Sequence, residues 1–348
     1  MRRSIAGLVA LLAMTWPAYA KPAAPVTLNS TDAVQHWINE YRAKPDPKAV
    51  PDVTIKLSEL GALRDPERSG VYIGFLAGVL GANPQQAPAL IAKTLTMPRD
   101  DRWIVVRAIA YSGLPNWSPL LKKAAAQMPE RSRMIEKYRS GKSPTLDQLV
   151  IAPSPSQWQR FTQALRIEAV FGKPNRPLTL EASPEVLDIL WGYYFATGSF
   201  GPLKEIIAML EWSDDRNDVE RLTIGSMAKF TLAMNASRSS NLLATLKSAS
   251  KARNQPEKTV AALNEVIDAA ETVEMSRIRQ QAMAAIDELR RKGPAYKRAA
   301  TWWSYIGQSV IAGGCIAATI ASVTAAGLPC VIGGATASAA MNFVANQP

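Results

Sequence analysis

The chain has 348 residues and a formal charge of +11, with 40 Lys and Arg against 29 Asp and Glu. Two cysteines and one histidine cannot build a His/Cys zinc site of the usual spacing, and no P-loop, G-x-G-x-x-G, G-x-S-x-G or H-E-x-x-H motif occurs. No cofactor, metal ligand or catalytic residue is therefore expected.

The first twenty residues have the anatomy of a secretory leader. Arg2 and Arg3 precede a ten-residue apolar run, Ile5 to Met14, then Pro17 and an Ala18-Tyr19-Ala20 cleavage motif. The run is too short to cross a bilayer about 30 Å thick, which takes roughly 20 residues. Cleavage between Ala20 and Lys21 would leave 328 residues with a charge near +9, in the periplasm or outside the cell. Nucleic acid is not an expected partner there. An unknown protein or an anionic envelope component is, and the same excess of cations also serves solubility alone.

Residues 21–152 read as short helices joined by Gly and Pro turns, and residues 153–293 as a second helical region after a soft boundary near Pro153. Two Pro-rich stretches, 140–156 and 172–184, read as linkers. Strand signals are nearly absent; Asp52–Leu60 alternates, but also suits a helix ending at Gly61. Three passages share one order: apolar helix, Gly, short turn, then Pro in the first turn of the next helix. They are Tyr72–Leu95 with Gly81 and Pro84, Trp103–Ala126 with Gly113 and Pro119, and Val186–Leu210 with Gly198 and Pro202. Each Gly is expected in the left-handed conformation that ends a helix. Ser118 and Gly201 are expected at the next N-caps, because Pro is tolerated in a first turn where its missing N–H costs nothing.

This make resembles tetratricopeptide and HEAT-like repeats at the level of helix–Gly–helix, without the fixed 34-residue period. The resemblance implies an all-α, irregular helical-hairpin repeat, α-solenoid-like, and implies no ligand. Between Pro256 and Lys292 apolar residues recur from Val260 through Leu263, Ile267 and Ile278 to Leu289, as on one face of a single long helix of about 55 Å.

Within the body, His36 lacks a nearby nucleophile and reads as structural. Trp191, Tyr193, Tyr194 and Phe195 suit a hairpin core better than a binding shelf. The cluster Glu211-Trp212-Ser213-Asp214-Asp215 reads as a solvated loop, with Ser213 capping a helix. Its alternative is an envelope glycan-cleaving enzyme acting through Glu211 or Asp215.

Residues 294–348 form a separate tail, and residues 299–348 carry no Asp, Glu, Lys or Arg. Arg290, Arg291, Lys297 and Arg298, then Trp302, Trp303 and Tyr305, make a candidate membrane-interface band before an apolar run. The echo of Val310-Ile311-Ala312-Gly313-Gly314 in Val331-Ile332-Gly333-Gly334 suggests a helical hairpin. It would dock on the body or a partner, or contact a membrane. Cys315 and Cys330 are expected to form a disulfide. That pairing requires the first tail helix to stop near Ile320, because bridged Cα atoms lie within about 7 Å.

Overall fold

A computed structural model describes residues 28–151, 178–253, 255–272 and 276–292. The leader, the tail with Cys315 and Cys330, and the Lys297-to-Tyr305 band lie outside the described residues. Of the candidate interface cations, Arg291 is described: it is exposed beside Glu288 at the end of the last helix, and Arg290 precedes it in the same turn.

The chain is mostly helical. Among the described residues seven α-helices come first: α1 Thr31–Glu40, α2 Val50–Glu59, α3 Gly70–Ala82, α4 Ala87–Thr94, α5 Trp103–Tyr111, α6 Trp117–Ala125 and α7 Ser132–Arg139. A parallel pair of two-residue strands, β1 Leu149–Val150 and β2 Leu180–Glu181, aligns Leu149 with Leu180. Six more described α-helices follow: α8 Pro184–Thr197, α9 Phe200–Ala208, α10 Val219–Ala236, α11 Ser240–Ser250, α12 Glu257–Thr272 and α13 Ser276–Lys292.

Local sequence sets the starts and stops. Ser30, Ser183, Asp218 and Ser239 each accept an N–H of the first turn, of Ala33, Val186, Arg221 and Leu242. Gly61, Gly113 and Gly198 have φ of 73°, 70° and 65° and end α2, α5 and α8 as expected. The Asp52–Leu60 segment is accordingly helix rather than strand. Four expectations need correction. Pro84 lies in the turn before α4, whose first-turn proline is Pro88. Ser118 lies inside α6, whose N-cap is Asn116, and Gly201 lies inside α9, which Ser199 caps by accepting the Gly201 N–H. Gly81 lies inside α3 with an ordinary helical φ.

Gly81 serves a different purpose. With Gly70, Gly74 and Gly78 it forms a seam on α3 along which other backbone approaches. A Cβ at Gly74 would lie 1.9 Å from the Ile189 carbonyl oxygen, and one at Gly192 of α8 would lie 2.0 Å from that of Val71. Helices α3 and α8 therefore meet backbone to backbone, 115 residues apart in sequence. Every residue of α3 from Gly70 to Leu80 is buried, so the helix is apolar all round. Helices α5 and α8 flank it.

A second buried helix, α10, is covered by residues 209–214 and by α12 and α13, with Thr223 to Ala236 all buried. Trp191 joins the two centres: fully buried on α8, it donates its indole N–H to Thr231 Oγ1 of α10 at 3.0 Å. The apolar face foreseen between Val260 and Leu289 is buried at Leu263, Ala270, Ile278, Ala282 and Ile286.

The single long helix is instead two, α12 and α13. Glu265 pairs with Lys229, and the Ala285 carbonyl accepts from Thr223. Those α10 residues are six apart, about 9 Å, whereas Glu265 and Ala285 would stand about 30 Å apart on one straight helix. Among the described residues no helix is long and apolar enough to cross a membrane.

Burial holds two tyrosines protonated. Desolvation, with Asp46 nearby, raises the Tyr41 hydroxyl to about 12. Desolvation also raises Tyr72 to about 12, where Gln35 donates to its oxygen at 3.1 Å and opposes the shift, while Asp32 and Asp188 reinforce it. The unfolded chain loses these protons first, near pH 10. Stability should thus be unaffected below about pH 10 and should fall as pH rises from there toward 12. Melting temperatures read against tyrosinate absorbance will show the decline.

Candidate functional site

Four segments converge at the C-terminal end of α5. Gly113 turns the chain after Tyr111. Residues 146–149 return over it. The α8–α9 turn at Gly198 closes the third side. Between them lies an open cleft of about 370 Å³, lined by Tyr111, Gly113, Leu146, Asp147, Leu149, Leu190, Tyr193, Ser199, Gly201, Pro202 and Glu205. That volume falls at the lower end of the range for ligand pockets.

The walls are held by buried polar contacts. Tyr193 donates to the Ser112 carbonyl at 3.0 Å, which ties α8 to the end of α5, and burial raises its hydroxyl above the usual range. A Cβ at Gly81 would strike the same carbonyl at 2.3 Å, so that glycine lets the α3 backbone meet Ser112 and the Tyr193 hydroxyl behind the cleft. Tyr111 packs edge-on against Tyr138, with ring centroids 6.0 Å apart. Its hydroxyl accepts from Arg107, which also makes a bidentate pair with Glu185. Burial works to lower the Arg107 guanidinium, but Glu185 and the two tyrosines raise it above its ordinary value, so it stays charged and neutralised in place.

The loop residues carry their own brace. Thr145 donates its backbone N–H to Gln148 Oε1 at 2.9 Å and its hydroxyl to Asp147 Oδ1 at 2.5 Å. Asp147 is exposed at the lip and Glu205 half-buried on the first turns of α9. No Lys or Arg lines the cleft. The positive end of α9 contributes only about half a charge, against two full carboxylates, so the field inside is negative in a chain that is otherwise strongly basic. Among the described residues the exposed large hydrophobics are Val150, Leu178 and Phe200. Val150 and Phe200 adjoin lining residues, and Leu178 lies two residues before Leu180, the strand partner of Leu149.

The residues singled out in the sequence fall elsewhere, with one exception. Trp191, Tyr194 and Phe195 are core, 0–4 % exposed, while Tyr193, half-buried, faces the cleft. His36 is half-buried on α1, 3.6 Å from Glu40.

The acidic cluster requires correction. Residues 209–214 form a 3₁₀ helix against α10, and a Cβ at Gly225 would lie 2.4 Å from the Ser213 nitrogen. Trp212, Ser213 and Asp215 are buried; Asp214 is exposed and Glu211 intermediate. Ser213 caps no helix; Asp218 caps α10. Asp215 is thus part of the core boundary rather than a solvated loop, and neither it nor Glu211 lines the cleft. Asp147 and Glu205 were not legible beforehand, since only the fold brings residues 58 positions apart to one opening. Among the described residues no group of His, Cys, Asp or Glu is placed to hold a metal. Comparison of the chain with protein-family models, curated proteins and solved structures gives no match in any of the three.

Proposed function

We propose that this chain is an exported helical-hairpin scaffold, α-solenoid-like in its units and non-catalytic, that holds a partner protein by a Lys- or Arg-bearing segment seated in the cleft. The observation that carries the reading is the charge contrast. In a basic chain, the lining of this cleft holds two carboxylates, Asp147 and Glu205, and no cation. A cationic side chain would sit between those carboxylates and the faces of Tyr111 and Tyr193, where cation–π attraction adds to the ion pairs. Apolar flanking residues of the partner would cover Val150 and Phe200, both about half exposed. The leader, Met1 to Ala20, supports a periplasmic or extracellular setting.

The test is a titration of the full chain with fluorescent peptides. A Lys-containing peptide with apolar neighbours should bind, and its acetyl-lysine counterpart should bind at least about tenfold more weakly, the loss of a charged hydrogen bond of 1.5–3 kcal/mol. Glu205→Gln should weaken the first and leave the second unchanged. Equal binding of both peptides, or indifference to Glu205→Gln, would refute the reading. Cleavage of wall glycan lost in Glu211→Gln would instead support an envelope enzyme.

A second reading keeps a specific feature behind it. The fifty charge-free residues 299–348 follow Arg290, Arg291, Lys297 and Arg298 and the aromatic Trp302, Trp303 and Tyr305. That order supports a tail hairpin that anchors the protein to a membrane. Docking on the body or on a partner remains the preferred role, because an exported body would put the cations on the outer side of the membrane.

A further inference from the structure

We propose that the outer face of the α6–α7 hairpin docks electrostatically on an anionic bilayer surface. This is a site separate from the cleft and does not depend on it. Residues 117–142 hold seven cations against two anions, Glu130 and Glu136, a net charge of +5 on 26 residues of a chain whose total is +11. The anions are engaged: Glu130 lies 3.6 Å from Arg102, and Glu136 lies 3.6 Å from Arg139. Arg139 is taken by Glu136, and Arg131 donates its guanidinium to the Arg99 and Asp100 carbonyls; the other five cations are Lys122, Lys123, Arg133, Lys137 and Lys142. All are exposed, and none makes an ion pair among the described residues.

The fold keeps them together. Leu121 and Ala124 turn inward on α6, and Ile135 and Tyr138 on α7, so the charged positions take the outer side of both helices. Arg133 and Lys137 are four apart on one stripe of α7. Past the helix, Gly141 adopts φ 69° and the Lys142 N–H returns to the Lys137 carbonyl at 2.8 Å, which sets Lys142 beside that stripe. No lining residue of the cleft belongs to this hairpin.

Exposed cations spread over the outer side of two helices recognise charge density rather than the shape of one molecule. A bilayer rich in anionic headgroups presents that density over an area as wide as the hairpin. Trp117, half-buried at the start of α6, is the residue type that settles at such interfaces. Each Lys or Arg brought to an anionic membrane contributes about fivefold in partitioning, and the contribution is screened by salt.

The experiment is co-sedimentation of the full chain with phosphatidylcholine vesicles, with and without phosphatidylglycerol. Two variants are compared. The first carries Lys122, Lys123, Arg133, Lys137 and Lys142 changed to Gln. The second carries Lys44, Lys48, Lys204, Lys251 and Arg253 changed to Gln, five exposed cations elsewhere. The expected result is binding only with phosphatidylglycerol, reversed by salt, and reduced about a thousandfold or more in the first variant but only a few-fold in the second. Equal losses in both variants would reduce the effect to overall charge and overturn the proposal. Binding that survives in the first variant, or that ignores salt, would also overturn it by assigning contact to the charge-free tail. Failure to bind the vesicles, with capture by polyglutamate instead, would replace the membrane with an acidic polymer.

Discussion

Gly74→Val should leave little or no folded protein. The Cβ alone would overlap the Ile189 carbonyl at 1.9 Å, and the two methyls of valine add volume in a seam where Gly192 also leaves no room. Relief requires α3 and α8 to separate along their whole contact, and that contact holds the first buried centre together. Overpacking a core costs 1–3 kcal/mol where side chains can shift. Here the obstacle is helix backbone, so even Gly74→Ala should cost about 3 kcal/mol or more, a large part of the 5–15 kcal/mol typical of a domain. Gly141→Ala is the contrast. It has φ 69° but nothing within 4 Å, so its cost should be the backbone term alone, about 1–2 kcal/mol. Denaturant melts of the three variants will separate close approach from backbone strain.

The second large effect lies at the other centre. Lys229 is 2 % exposed in the middle of α10, and its ammonium meets Glu265 Oε2 at 2.7 Å. Removing the partner leaves a buried charge, a change that typically costs 3–5 kcal/mol. The Glu265 side chain is 35 % exposed, so water reaches the pair and the lower end of that range applies. Glu265→Ala should therefore destabilise by about 3 kcal/mol. Lys229→Met should cost less, about 1 kcal/mol, because it keeps the packed methylenes and leaves the Glu265 carboxylate where water can reach it. Equal losses in the two variants would show that the pair is fully solvated in the folded protein.

The sequence made the helices and many of their ends readable, because those depend on short-range period and on capping residues; the main partner of α3, the distant α8, was not. Gly113 and Gly198 acted as foreseen. Gly81 did not, and the reason is physical. Glycine serves both a left-handed turn and a close approach of backbones, and the spacing Gly70, Gly74, Gly78 was the sign of the second use. The neighbours that demand it, Ile189 and Ser112, lie far away in sequence. The acidic cluster was misjudged for a similar reason. Five polar and aromatic residues look solvated until Gly225, ten positions on, offers a surface flat enough for Ser213 to lie against. The cleft left no local mark, since Asp147 and Glu205 are ordinary surface residue types on separate elements and only the Gly198 turn and the Tyr193–Ser112 bond bring their segments together.

The claim that the cleft grips a basic segment of a partner is tested most directly by crosslinking from within it. A photoreactive residue at Leu146, which lines the opening, is introduced into the full chain in its own cells and activated by light. The account predicts a discrete adduct whose attached peptide contains Lys or Arg beside apolar residues, and predicts that Glu205→Gln greatly reduces it. An adduct of equal yield in the Glu205→Gln chain, or one attached to peptides without a cation, would contradict the account.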